Sequence, residues 1–148
     1  MKNWWKHAAA AGIAVAILGA GMTTTAVADP LKDRSAAMKS ISKASKAIKK
    51  AAKGGMAADA QKQAAIIVAV SDKMESLFPK GSGAGYGEKT RAKPDIWTDW
   101  AKFQKANAAM KSVAMKVAGG DMSAAADIGK TCGGCHKPFR GPKIKKKM

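Results

Sequence analysis

Between Leu31 and Lys53 the chain repeats at alternating steps of three and four. Leu31, Arg34, Met38, Ile41, Ser45, Ile48 and Ala52 fall on one stripe, and lysines fill most of the rest. That period predicts an amphipathic helix, which Gly54-Gly55 ends. A second helix is expected over Ala57 to Phe78, with Ala60, Ala64, Ile67, Val70, Met74 and Leu77 inward and Pro79 as its stop. Residues 79–93, PKGSGAGYGEKTRAK, have no periodicity and read as a loop. A third helix starts at KPDIW, where Pro94 suits a first helical position and Asp95 complements the dipole. Ile96, Trp97, Trp100, Phe103, Met110, Val113 and Val117 form its apolar side, and Gly119-Gly120 closes it. A fourth runs from about Met122 to Phe139 or Arg140, capped by Asp121, before the basic tail GPKIKKKM. No segment alternates with period two. Four amphipathic segments, mostly with short connections, predict an all-α antiparallel four-helix bundle.

The first 28 residues stand outside that pattern. Lys2 and Lys6 precede an uncharged apolar run from Ala8 to Ala20, and Ala26-Val27-Ala28 offers small residues for a peptidase. Residues 1–28 therefore read as a cleavable signal peptide, too short in its apolar core to span a bilayer. Cleavage leaves one periplasmic domain, residues 29–148, in which His136 is the only histidine. Without Lys2 and Lys6 the 27 basic residues become 25 against 10 acidic ones, a net charge of +15. Export argues against nucleic acid as the partner of so basic a surface. An acidic redox protein, or an anionic membrane-associated electron donor or acceptor, suits it better; the other reading is a solvated, solubilising face. The Ala-rich faces of the first two helices leave a homodimer open. They also make a thin core, which a large buried apolar cofactor would fill.

Both cysteines, Cys132 and Cys135, lie with His136 in TCGGCHKPFR. Structural zinc wants four ligands, and the exported chain has no further Cys or His. A thioredoxin-like dithiol belongs at a helix start near a βαβ pattern, whereas this motif ends the last helix of an all-α chain. C-x-x-C-H is the pattern of covalent haem attachment. Residues i, i+3 and i+4 share a helix face, so two thiols can add to the vinyl groups on one haem edge while the imidazole reaches iron. The expected cofactor is one covalently bound haem c, on Cys132 and Cys135, with His136 as the proximal iron ligand.

CGGCHKPFR near the C-terminus, KPDIWTDWAKF at the start of the third helix and DRSAAM in the first together resemble the class II cytochromes c, the cytochrome c′ family. The resemblance covers nearly the whole exported chain. DRSAAM looks like the family's Arg-x-x-x-[Leu/Met] segment, whose last position faces the iron opposite the histidine and here is Met38. By the resemblance, a bulky apolar residue there implies five-coordinate, high-spin iron, and methionine implies six-coordinate, low-spin iron. Bundle topology alone leaves Met38 and Met74 at the level of the haem, and either can be ordinary core packing. The resemblance favours Met38 as the distal iron ligand, with Met74 as its rival. It also implies haem contacts for Arg34 and Arg140.

The function expected on these grounds is a non-enzymatic carrier of single electrons with His/Met-ligated haem. One alternative is a five-coordinate cytochrome c′ that binds nitric oxide or carbon monoxide. The other is an exported basic binding module whose C-G-G-C is a dithiol without haem.

Overall fold

The computed structural model describes residues 29–83 and 90–143; the expected signal peptide and the end of the basic tail lie outside them. Helix α1 spans Pro30–Lys53. Asp29 caps it by accepting from the backbone N–H groups of Leu31 at 3.0 Å and Lys32 at 3.3 Å, with Pro30 at the first position. Beyond Gly54, Gly55 takes a φ of +68°, which turns Met56 N–H back onto the Ala51 carbonyl at 2.9 Å.

Helix α2, Ala57–Asp72, is shorter than the period suggests. After Asp72 the N–H groups of Lys73 and Met74 bond three residues back, to Val70 and Ser71, and the Ser76 hydroxyl takes the Lys73 carbonyl at 2.8 Å. These tighter bonds and the competing hydroxyl turn the chain out of the helix before Phe78. The expected third helix is also divided. A single turn, α3 (Asp95–Thr98), stops at Asp99, whose side chain caps α4 (Trp100–Ala118) by accepting from Lys102 N–H at 3.3 Å. Asp121 caps as expected, but what it caps is a 3-10 turn, Met122–Ala126; the last α-helix, α5, is Ile128–Phe139. At Asp99 the reason is that an aspartate able to hold a backbone N–H favours a new start over continuation; Asp127, before α5, makes no such side-chain bond.

The four-legged architecture is nevertheless the predicted one. Helix α1 packs on α2, α2 on α4, and α4 on α5. The fourth side closes only at one end, where the 3-10 turn meets α1; α1 and α5 themselves hardly touch. At the closed end the core is built from small and branched residues, including Ala44, Ile48, Ala60, Ala64, Ile67, Ala114 and Val117. At the other end Phe103 gathers the aromatics, with ring centroids 4.8 Å from Phe78, 5.3 Å from Trp100 and 5.4 Å from Phe139. The described residues form no strand. One antiparallel bridge, Ala92 with Arg140, ties the approach to α3 to the end of α5, through Lys93 N–H to the Phe139 carbonyl at 3.0 Å and Gly141 N–H to the Arg91 carbonyl at 2.7 Å.

Ile67 is fully buried between these layers. Ile67→Ala is expected to cost about 2–5 kcal/mol, lost transfer energy plus an unfilled cavity. Guanidinium unfolding of the intact protein measures it, and a loss below about 1 kcal/mol is incompatible with this packing.

Candidate functional site

The C-x-x-C-H residues occupy the middle of α5, so their spacing sets Cys132, Cys135 and His136 on one helical face. All three are half-buried. The cysteines are not bonded to each other, and Cys132 Sγ lies 3.4 Å from the Ile128 carbonyl, the bond a helical thiol makes to its own preceding turn. Burial, and secondarily the neighbouring Cys132, push the Cys135 thiol up to about 11. A redox-active dithiol needs the opposite, a thiolate stabilised near neutrality. The exported dithiol module is therefore disfavoured on chemistry as well as position.

His136 is held below the usual imidazole range by burial first, then by the positive charges of Arg140 and Arg91. Among the described residues neither ring nitrogen has a hydrogen-bond partner. A neutral imidazole with a free lone pair is what a metal requires of histidine. These observations fit a covalently held haem: two unpaired thiols one turn apart, a neutral imidazole beside them, and a bundle that α1 and α5 leave unclosed at this end.

Helix α1 brings Arg34 and Met38 to the same end. Arg34 is buried, and four of its N–H bonds are directed into the segment after α2. Its Nε donates to the Leu77 carbonyl at 3.0 Å, Nη1 to the Ser82 carbonyl at 3.2 Å and the Thr90 hydroxyl at 3.1 Å, and Nη2 to the Ser82 hydroxyl at 2.6 Å. The guanidinium also lies over the Phe78 ring, 4.1 Å from its centroid. Burial lowers its pKa from the usual arginine value. A guanidinium has five N–H groups, so one is left for any further contact. Arg34 is thus a brace for residues 77–90, a role its sequence position gave no sign of. Arg140 is exposed and caps α5, with its backbone N–H on the His136 carbonyl at 3.3 Å.

Arg91 was not singled out from the sequence. Its Nε donates to the Gly141 and Pro142 carbonyls, both at 2.9 Å, and Nη2 to Gly141 at 2.7 Å. Lys93 Nζ holds the Pro138 carbonyl at 3.0 Å. Together these clamp the chain just past His136. The contacts join residues about fifty positions apart, and no local pattern announces them. Trp97 is anchored by Nε1 to the Phe78 carbonyl at 3.0 Å, and Gly83 passes so close over its ring that a Cβ there would stand 2.6 Å from Cζ3. Of the two methionines, Met38 is half-buried against the core. Met74 is buried and lines a cavity of about 230 Å³ between α2 and α4, with Ser71, Trp100, Phe103 and Asn107. It belongs to the α2–α4 side of the bundle, away from the gap between α1 and α5.

The family model described as cytochrome c′ matches residues 29–140. The chain belongs to the cytochrome c′ family. Two relatives are called cytochrome c′: one from Rhodopseudomonas palustris, 36% identical over 86% of this chain and 91% of its own length, and one from Pararhodospirillum photometricum, 36% identical over 56% and 71%. The solved cytochrome c′ from Rhodobacter spheriodes superposes with a TM-score of 0.66 at 26% identity, covering 78% of this chain and all of its own. The architecture is that of the cytochromes c′, themselves standard examples of the four-helix bundle. Family members carry one covalently bound haem c, as the motif on α5 predicted.

Membership also corrects one expectation. Cytochrome c′ haem is typically high-spin and five-coordinate, so the His/Met low-spin electron carrier built on Met38, with Met74 as its substitute, does not stand. The physical reason for the error is that a methionine near a haem end packs as readily as it ligates. Both methionines are in contact with the apolar core.

Arg34→Met keeps much of the packing but leaves the Leu77 and Ser82 carbonyls without their donors. It is expected to destabilise the protein by about 3 kcal/mol, and Arg34→Lys, which cannot span the fork, to recover less than half of that. Urea midpoints decide; an Arg34→Met variant within about 0.5 kcal/mol of the parent removes the brace.

Proposed function

We propose that the mature protein is an exported, five-coordinate cytochrome c′ whose ferrous haem binds nitric oxide or carbon monoxide. The observation that carries this reading is the family match over residues 29–140, with C-x-x-C-H in the helix that stands away from α1. Cys132 and Cys135 would hold the cofactor by two thioethers, and His136 would give it a nitrogen ligand. When bound, the haem would supply a ferrous iron with room for one diatomic ligand. The chain's part is to fix and protect that arrangement. The bridge at Ala92–Arg140 and the Arg91 and Lys93 clamps hold the end of α5, and with it the imidazole. Burial first, then the charges of Arg140 and Arg91, keep His136 unprotonated, and so available as a ligand, to lower pH than an ordinary histidine.

Met38, half-buried at the α1 side of the gap, serves in this reading as apolar cover for the open position. In that place it would limit the approach of large or polar molecules more than that of a small uncharged gas. Arg140, exposed and unpaired among the described residues, is the arginine left to meet a haem propionate. No helix among the described residues is long and apolar enough to cross a membrane. Export of the domain rests on the composition of residues 1–28.

Two measurements test the assignment. Cys132→Ala with Cys135→Ala is expected to yield secreted chain at bare polypeptide mass, without haem. A retained covalent adduct would place attachment elsewhere. The reduced parent protein is expected to show a high-spin spectrum that carbon monoxide shifts, and Met38→Ala to raise the association rate at least tenfold, equivalent to about 1.4 kcal/mol of barrier. A low-spin ferrous spectrum indifferent to carbon monoxide would falsify the gas-binding reading.

A further inference from the structure

Basic charge is not spread evenly over the four legs of the bundle. Helix α1 carries seven lysines and Arg34 against one acid, Asp33, whereas α2 has Lys62 alone against Asp59 and Asp72. Lys32, Lys39, Lys43, Lys46, Lys50 and Lys53 follow one another at steps of seven, four, three, four and three. At about 100° per residue they fall within an arc of roughly 80°, on the side opposite Ile41 and Ile48. All six are exposed, and none makes an ion pair among the described residues; the salt bridges there are Lys93–Asp95, Lys111–Asp72 and Lys130–Asp127. We infer that this lysine line is a docking surface for an anionic phospholipid membrane, against which α1 lies lengthwise.

Shape selects the occupant. From Lys32 to Lys53 the line is about 32 Å long, and after Lys39 successive charges rise only about 4.5–6 Å along the axis. That spacing is shorter than the ~8 Å screening length of physiological salt, so the charges act as one straight rod. A plane of negative headgroups can lie within a screening length of the whole rod. A rounded acidic protein falls away from its ends and engages the middle alone. A second copy of α1 would meet it with like charge.

The residues between the lysines, such as Ser35, Ala36 and Ser42, are small and exposed, while the apolar side of α1 is committed to the core. Nothing on this face can insert among acyl chains, so the contact is electrostatic, superficial and reversed by salt.

Sedimentation of the haem-loaded protein with vesicles tests this. Vesicles of equal parts phosphatidylglycerol and phosphatidylcholine are expected to bind the parent at low ionic strength and release it at high salt; vesicles of phosphatidylcholine alone are expected to bind none. Lys39→Glu, Lys43→Glu and Lys46→Glu together should lower partitioning at least tenfold. A control of identical net charge, Lys102→Glu, Lys105→Glu and Lys116→Glu on α4, should lower it far less. Lys39→Gln, Lys43→Gln and Lys46→Gln give a milder version that keeps the helix, and should fall between. No sedimentation of the parent at low salt overturns the inference. So do equal losses in the two glutamate triples, which would make net charge the cause, or binding to polyglutamate but not to anionic vesicles.

Discussion

The feature on which the rest of the structure depends is the incomplete contact between α1 and α5. Three sides of the bundle pack helix on helix, and the fourth is drawn together only at the 3-10 turn. Alanine and isoleucine let the legs approach closely at that end, where Ala44, Ala60, Ala64 and Ala114 are fully or almost fully buried. Toward the other end the contacts pass to five large aromatic rings, and α1 and α5 stand apart. That separation gives a helix bearing two thiols and an imidazole a side that α1 does not cover. A tightly closed bundle of the same length would have no room for a porphyrin beside α5.

Such an opening needs bracing, and two arginines supply it from outside the attachment motif. Arg34 reaches from α1 into the segment after α2 and is buried among carbonyls and hydroxyls rather than carboxylates. Its charge is met by dipoles, which satisfy its donors without a second buried ion to desolvate. Arg91 does the same for the chain beyond α5. Because its charge also stands near His136, the residue that anchors the helix end helps keep the imidazole neutral.

Much of this was legible in the chain beforehand, for physical reasons that differ from residue to residue. The stripes of α1 and α4 are strongly periodic, and their inward positions Ile41, Ile48, Phe103, Met110 and Val117 are buried as the spacing implied. The C-x-x-C-H motif is local, so its helical face follows from sequence alone. Helix interruptions were harder. Asp99 and Ser76 act by side-chain bonds to backbone within three residues, and periodicity does not register such competition. The roles of Arg34 and Arg91 depend on partners about fifty residues away and had no signal at all. The low-spin carrier expectation failed for a further reason: packing and ligation place a thioether such as Met38 in the same surroundings, and spacing cannot separate them.

The pairing of Ala92 with Arg140 has a consequence for the order of assembly. Helices α1 and α2 are neighbours in sequence and can pair early, whereas the bridge encloses nearly fifty residues and carries the entropy of closing so long a loop. The bridge itself is therefore expected to form later than the pairing of helices adjacent in sequence. Until it forms, the helix end that carries Cys132, Cys135 and His136 is held chiefly by its packing on α4.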